Sequence, residues 1–168
     1  QCPRRNARGA QPLALVNTME LIAILPKDRT QIGELQIWRS GALVQKFPVL
    51  GKADNAMAKK SGNASRDQLF PFGDTPTGKW KVTAAPKPQA DISTYGVHPV
   101  FMLWPLDGNA MTSHDAKHRR VGIWLHAGVL NGAGQLRPTY GCLRVHNETM
   151  GRLHELIAQH GPITTLEV

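Results

Sequence analysis

Apolar residues in this chain come in short runs that stop at proline or glycine. Met19–Leu25 ends at Pro26, Ala42–Leu50 at Gly51 and Val100–Trp104 at Pro105. Runs of this length, bounded by residues that break regular structure, predict strands rather than helices. Glu34–Arg39 alternates polar and apolar residues, the pattern of a strand with one buried face. Ser40-Gly41 turns it back on Ala42–Leu50, and Pro48 marks an edge position or a bulge in that second strand. The 12 prolines and 16 glycines of the 168 residues supply many more such turns. One segment breaks the rule. Met150, Leu153, Leu156 and Ile157 recur at helical spacing, with Asn147 as a cap and Gly161-Pro162 as a stop. Ile163–Val168 then reads as a last strand. The expectation is a mainly β fold, a β-sandwich-like mixed sheet with one or two helices. It occupies residues 19–168 as one domain, behind an N-terminal tail over residues 1–18.

Between the strands the chain is less regular. Residues 52–70 are polar and read as a surface excursion holding a short helical turn. Thr75-Pro76-Thr77-Gly78 is a tight turn: proline presets φ and glycine permits a positive one. It leads into a strand that alternates Trp80 and Val82. Residues 84–99 read as loop, 107–109 as a turn, and Lys117–Arg120 as a solvated basic face. Trp104 and Trp124 are assigned to the core.

A net charge of +8 invites a nucleic-acid reading. The basic residues, however, sit in small groups (Arg4, Arg5 and Arg8; Lys59-Lys60; Lys117 to Arg120) without interleaved aromatics. No nucleic-acid partner is expected, and the charge suits work near an anionic polymer. No apolar run reaches the roughly 18–20 residues of a membrane span. Gln1 is no natural initiator, which is compatible with a removed export signal. His98, His114, His118 and His146 lack metal-ligand spacing, so no metal is assigned. Of the two cysteines, Cys2 lies in the tail. A Cys2–Cys142 disulfide is open by count alone, and without Cys-x-x-Cys there is no redox or zinc motif.

Cys142 is thus the single interior thiol, and its surroundings carry the chemistry. The run Val121–Leu125 delivers His126 at the end of a strand. A loop with Gly128, Gly132, Gly134 and Pro138 follows and runs into Thr139-Tyr140-Gly141-Cys142-Leu143-Arg144. A loop that doubles back would set the imidazole beside the thiol, the arrangement that makes a cysteine nucleophilic at neutral pH.

Thr75-Pro76-Thr77-Gly78, a strand ending in His126, and Gly141-Cys142-Leu143-Arg144 sixteen residues beyond that histidine together resemble the L,D-transpeptidase family, the YkuD-type domain of cell-wall enzymes. The resemblance spans roughly residues 19 to 168. It implies that Cys142 attacks the bond between the diamino acid and D-Ala in a peptidoglycan stem tetrapeptide. His126 would take the thiol proton and stabilise the thiolate. Backbone N–H groups of Tyr140, Gly141 and Cys142 would hold the oxyanion. Thr139, Arg144 and Gly128 would bind substrate or support the site. A second amine would accept the acyl group, giving a 3→3 cross-link or D-amino-acid exchange, with no cofactor. The substrate implies a periplasmic or secreted protein at the bacterial cell wall. Two positions depart from the family pattern. Tyr140 stands where many members have histidine, and Ala127 follows His126 where Gly or Ser is common. A backbone carbonyl near that point orients the imidazole in the family, and either Ala127 or Gly128 could supply it.

Two other functions fit the same residues. Transfer to water would make an L,D-carboxypeptidase, or a secreted antibacterial cell-wall toxin whose partner would be an immunity protein. An inert Cys142 would leave a non-catalytic peptidoglycan-binding module.

Overall fold

The computed structural model describes residues 18–168. The tail, with Cys2 and the Arg4, Arg5 and Arg8 group, lies outside the described residues. The fold is mainly β. The first three strands, β1 (Met19–Ile24), β2 (Gly33–Arg39) and β3 (Ala42–Val49), form an antiparallel meander. Alternation drives it: Met19, Leu21, Ala23, Leu35 and Ile37 are buried while their chain neighbours are not. Ser40 and Gly41 adopt positive φ of 50° and 78°, the backbone that matches a two-residue hairpin turn to strand twist. Pro48 lies in β3, the last strand of the sheet on that side, where its missing N–H is tolerated.

The remaining strands are β4 (Lys79–Ala84), β5 (Phe101–Pro105), β6 (Trp124–His126), β7 (Leu143–Arg144) and β8 (Ile163–Glu167). All eight form one sheet in the order β3-β2-β1-β8-β4-β5-β6-β7. It is mixed, because β8 pairs parallel to β1 and antiparallel to β4, and β6 pairs parallel to β7. The sheet also nearly closes. Leu50, just past β3, exchanges two 2.9 Å hydrogen bonds with Arg144 of β7, joining the two ends.

Among the described residues four helices accompany the sheet: α1 (Asn55–Lys60), α2 (Ile92–Tyr95), α3 (Gly108–Ser113) and α4 (Asn147–His160). Only α4 is long enough to show a period in the sequence. It puts Met150, Leu153 and Leu156 into the core shared with Trp80, Phe101 and the meander. Large apolar side chains buried to this degree contribute about 1.5–3 kcal/mol each. The cap of α4 is His146 rather than Asn147, whose Oδ1 instead accepts a 3.3 Å bond from the Val97 N–H. Helix α3 replaces the expected turn. Asp107 precedes it but gives no capping signal, because its carboxylate accepts the Lys79 N–H at 2.7 Å. Among the described residues no helix is long and apolar enough to cross a membrane.

Three other expectations need correction. The strand before His126 starts at Trp124, not Val121; Val121 is 82% exposed, and positive φ at Arg119 and Gly122 breaks the run. Lys117–Arg120 is no uniformly solvated face. Lys117 and Arg119 are exposed, but His118 and Arg120 are buried. Trp104 is half exposed on the sheet surface, its indole N–H donating to the Thr83 hydroxyl at 2.8 Å.

Candidate active site

The register of β6 and β7 brings the two ends of the glycine-rich loop together. In this parallel pair Leu125 stands opposite Leu143 and His126 opposite Arg144. Side chains alternate along a strand, so Trp124 and His126 share a face with Cys142 and Arg144. Cys142 is a free, half-buried thiol, and His126 is fully buried. Both line one cavity of about 210 Å³, with Tyr95, Arg137, Thr139 and Arg144 among its walls.

The imidazole is held from its far side. Nδ1 lies 2.7 Å from the carbonyl oxygen of Ala127. A carbonyl only accepts, so Nδ1 carries the proton and the Nε2 lone pair is left to act as a base. Ala127, not Gly128, therefore supplies the orienting carbonyl. The same oxygen accepts a 3.0 Å bond from Arg144 Nη1. Tyr95 packs against the imidazole edge-on, with ring centroids 5.0 Å apart. Gly128 is required by closeness: a Cβ there would collide with Arg144 Nη1 and sit 2.5 Å from the Thr94 carbonyl. Its φ of 133° adds a backbone reason.

The thiol sits at the end of a tightly fixed turn. Thr139 Oγ1 accepts the Gly141 N–H at 3.0 Å and donates to the Cys142 carbonyl at 2.8 Å. The Gly141 carbonyl in turn accepts the Thr75 hydroxyl at 2.8 Å, which ties the Thr-Pro-Thr-Gly turn to the cysteine loop. The sulfur accepts the Trp124 N–H at 3.3 Å and lies 3.6 Å from the Gly122 carbonyl. Because Gly141 N–H is already engaged, it differs from its neighbours. The Tyr140 and Cys142 N–H groups have no hydrogen-bond partner among the described residues.

Charge around the thiol is positive. Arg120, which the sequence reading left on the surface, runs beneath the loop. It donates to the carbonyls of Gln68, Asp74 and Gly73 at 2.6, 2.8 and 3.0 Å. Burial draws Arg120 and Arg144 down to about 10 each, so both remain charged at neutral pH. Burial also pushes His126 down to about 4, against the pull of the Ala127 carbonyl. It pushes the Cys142 thiol up, while the Trp124 N–H, Arg120 and Arg144 work the other way. Burial thus favours the neutral form of both the thiol and the imidazole.

Of the residues expected at the site, His126, Cys142, Tyr140, Thr139 and Arg144 line the cavity, Gly141 shapes the turn, and Gly128 packs on Arg144. Tyr95, Arg120 and Arg137 were not expected there. Tyr95 had a faint signal. Asp91 caps α2 by accepting the Thr94 N–H at 3.1 Å, and Asp is a favoured cap residue inside a segment that otherwise reads as loop. A second cavity of about 400 Å³ also reaches Cys142; it shares Tyr95 and Tyr140 with the first and is walled besides by Phe72, Arg120, Val121, Ile123 and Trp124. Among the described residues no cluster of His, Cys, Asp or Glu could hold a metal.

No family model matches the chain, and no curated protein sequence matches it. Solved structures do. The chain is similar to Bdellovibrio bacteriovorus Bd1075 with a TM-score of 0.56 at 16% identity, over 92% of this chain and 51% of that one. It is also similar to Mycobacterium tuberculosis L,D-transpeptidase 1, with a TM-score of 0.40 at 12% identity over 89% of this chain and 62% of that one. The chain therefore spans about half to three fifths of the length of these two proteins. At such identities the likeness to Bd1075 is one of fold alone.

Proposed function

We propose that this chain is a cysteine acyl-transfer enzyme of the L,D-transpeptidase type. It acts on peptidoglycan stem tetrapeptides at the bacterial cell wall, in the periplasm or outside the cell, and residues 19–168 form its catalytic domain. The observation that carries this reading is the pairing of His126 and Cys142 on one cavity, with Nδ1 pinned to the Ala127 carbonyl and Nε2 left basic. An imidazole with an open lone pair on the same cavity as the thiol is what a general base and its nucleophile require, and this supports the reading.

The steps follow from the residues. Nε2 takes the Cys142 proton as the sulfur attacks the carbonyl carbon between the diamino acid and D-Ala. The tetrahedral oxyanion is held by the Tyr140 and Cys142 N–H groups; Gly141 keeps its N–H on Thr139 and serves the turn. As the C–N bond breaks, its electron pair stays on nitrogen and the His126 proton moves to that amine. The amine of a second stem then attacks the thioester carbonyl and gives its proton to Nε2; the C–S bond breaks, the acyl group leaves on the amine, and the proton returns to the Cys142 sulfur. Transfer to water in place of the amine is the carboxypeptidase or toxin reaction, run by the same residues.

Incubation with a disaccharide tetrapeptide, followed by product masses, tests the reading. Cross-linked dimer or D-amino-acid exchange is expected, and tripeptide alone would assign hydrolysis instead. Retention of full activity by Cys142→Ala would end the acyl-enzyme mechanism, and absence of any product from the wild-type chain would return it to a binding module.

A further inference from the structure

Three arginines, Arg120, Arg137 and Arg144, stand close to Cys142. None belongs to any of the salt bridges among the described residues. Arg120 is satisfied by its three backbone carbonyls. Arg137 and Arg144 differ, because both line the same cavity as the thiol and no carboxylate lines it with them. Arg144 makes one hydrogen bond to protein, from Nη1, and its buried Nε has no partner. Arg137 donates Nε to the Val129 carbonyl at 2.7 Å and Nη2 to the Ser93 carbonyl at 3.0 Å, which holds its head at the cavity wall. Asp91 feels the charge of Arg137 but forms no ion pair with it and does not line the cavity. The two guanidiniums are near enough to repel each other. Two like charges held around a small cavity without a counter-ion make a receptor for an anion, and paired guanidiniums suit a carboxylate.

Their side of the thiol identifies which carboxylate. Arg144 is the direct cross-strand neighbour of His126, so the cationic wall lies on the imidazole side of Cys142. The leaving amine must also lie there, because His126 gives it a proton. In a C-terminal amino acid that amine is two bonds from the carboxylate carbon. We propose that Arg137 and Arg144 form a clamp for the free α-carboxylate of the departing residue. This rests on the acyl-transfer reading above. It goes further in naming Arg137 as a specificity-determining residue and a free C-terminal carboxylate as the recognised group.

The clamp can be tested without any turnover. Cys142 is alkylated with iodoacetate, which carries a carboxylate, and with iodoacetamide, which is its neutral isostere. The expected result is a saturable iodoacetate rate that exceeds the iodoacetamide rate. Arg137→Ala should lower the iodoacetate-to-iodoacetamide ratio by about tenfold, with Arg137→Lys between the two, on the order of one charge-assisted bond. A ratio that Arg137→Ala leaves unchanged overturns the clamp. In a second arm, wild-type kinetics compare the stem tetrapeptide with its C-terminal amide. The amide should show a KM at least tenfold higher at similar kcat. Equal KM values for acid and amide also overturn the clamp, while leaving the proposed function intact. A high alkylation ratio with no turnover of either peptide keeps the anion site and sinks the proposed function.

Discussion

Gly141 has no room for a methyl group. Its φ of 120° lies outside the range of L side chains, and an added Cβ would meet Arg120 Nη2 and stand 2.8 Å from the Gly73 carbonyl. The neighbours that would have to move are the arginine beneath the thiol and the backbone it grips. Gly141→Ala is therefore expected to lose roughly 2–4 kcal/mol of stability, a strained backbone plus a steric conflict. Urea unfolding reads this, and a loss under about 0.5 kcal/mol would show that the turn adapts. His126 has a different consequence. Its pKa in the folded chain is about 4, below the ordinary 6.5, so the unfolded chain binds its proton first as pH falls. Its contribution to stability is complete above pH 6.5 and is lost on acidification between about 6.5 and 4. A shift of that size corresponds to about 3 kcal/mol. Urea titrations at pH 7 and pH 4 should show wild type losing about that much more than His126→Asn does. Equal losses in the two proteins would mean that the imidazole is not held neutral. The thiol moves the opposite way. Burial raises it, so iodoacetamide alkylation should climb through a midpoint above about 8.5, the value of an ordinary cysteine.

Thr75 joins two elements far apart in sequence. It is wholly buried, in the turn that leads into β4, and its hydroxyl donates to the carbonyl just before Cys142. Thr75→Val keeps the shape and leaves that buried carbonyl without a donor, at a cost of about 1–3 kcal/mol. The cysteine turn should loosen, so Cys142 alkylation at fixed pH should change several-fold while the far-UV spectrum does not. An unchanged alkylation rate would reduce Thr75 to a packing residue. These elements also show what could be read from sequence. The Thr-Pro-Thr-Gly turn, the strand carrying Trp80 and Val82, the first hairpin and α4 all carry their own local signals. So did the His126 and Cys142 pair, each at the border of an apolar element and a glycine-rich loop. Helix α2 has four residues and no apolar period, yet it brings Tyr95 against the imidazole. Arg120 hid in a basic run because its burial depends on carbonyls of residues 68, 73 and 74, some fifty positions upstream. Interactions with no local periodicity, made between loops, left no pattern to read.

β8 joins the two parts of the sheet that carries the site. It lies between β1 and β4, and without it the sheet would fall into the meander on one side and β4 to β7 on the other. The halves also meet at the far ends, where Leu50 and Arg144 exchange their two hydrogen bonds and Ala53 bridges Thr139. That contact uses the strand of the thiol loop, so the site lies on the seam of the near-closed sheet. Loss of either contact should then be felt at Cys142. Leu166, fully buried in β8 opposite Leu21 and Trp80, tests this from the opposite side of the sheet. Leu166→Ala should destabilise the protein by roughly 2–5 kcal/mol through lost burial and the cavity left behind. If the sheet unfolds as one unit, tryptophan fluorescence, far-UV signal and exposure of Cys142 to alkylation should report one shared midpoint in urea, shifted together by the substitution. A Cys142 that opens to reagent well before the far-UV signal changes, and whose opening Leu166→Ala does not move, would show that the seam carrying the site unzips independently of the sheet that forms it.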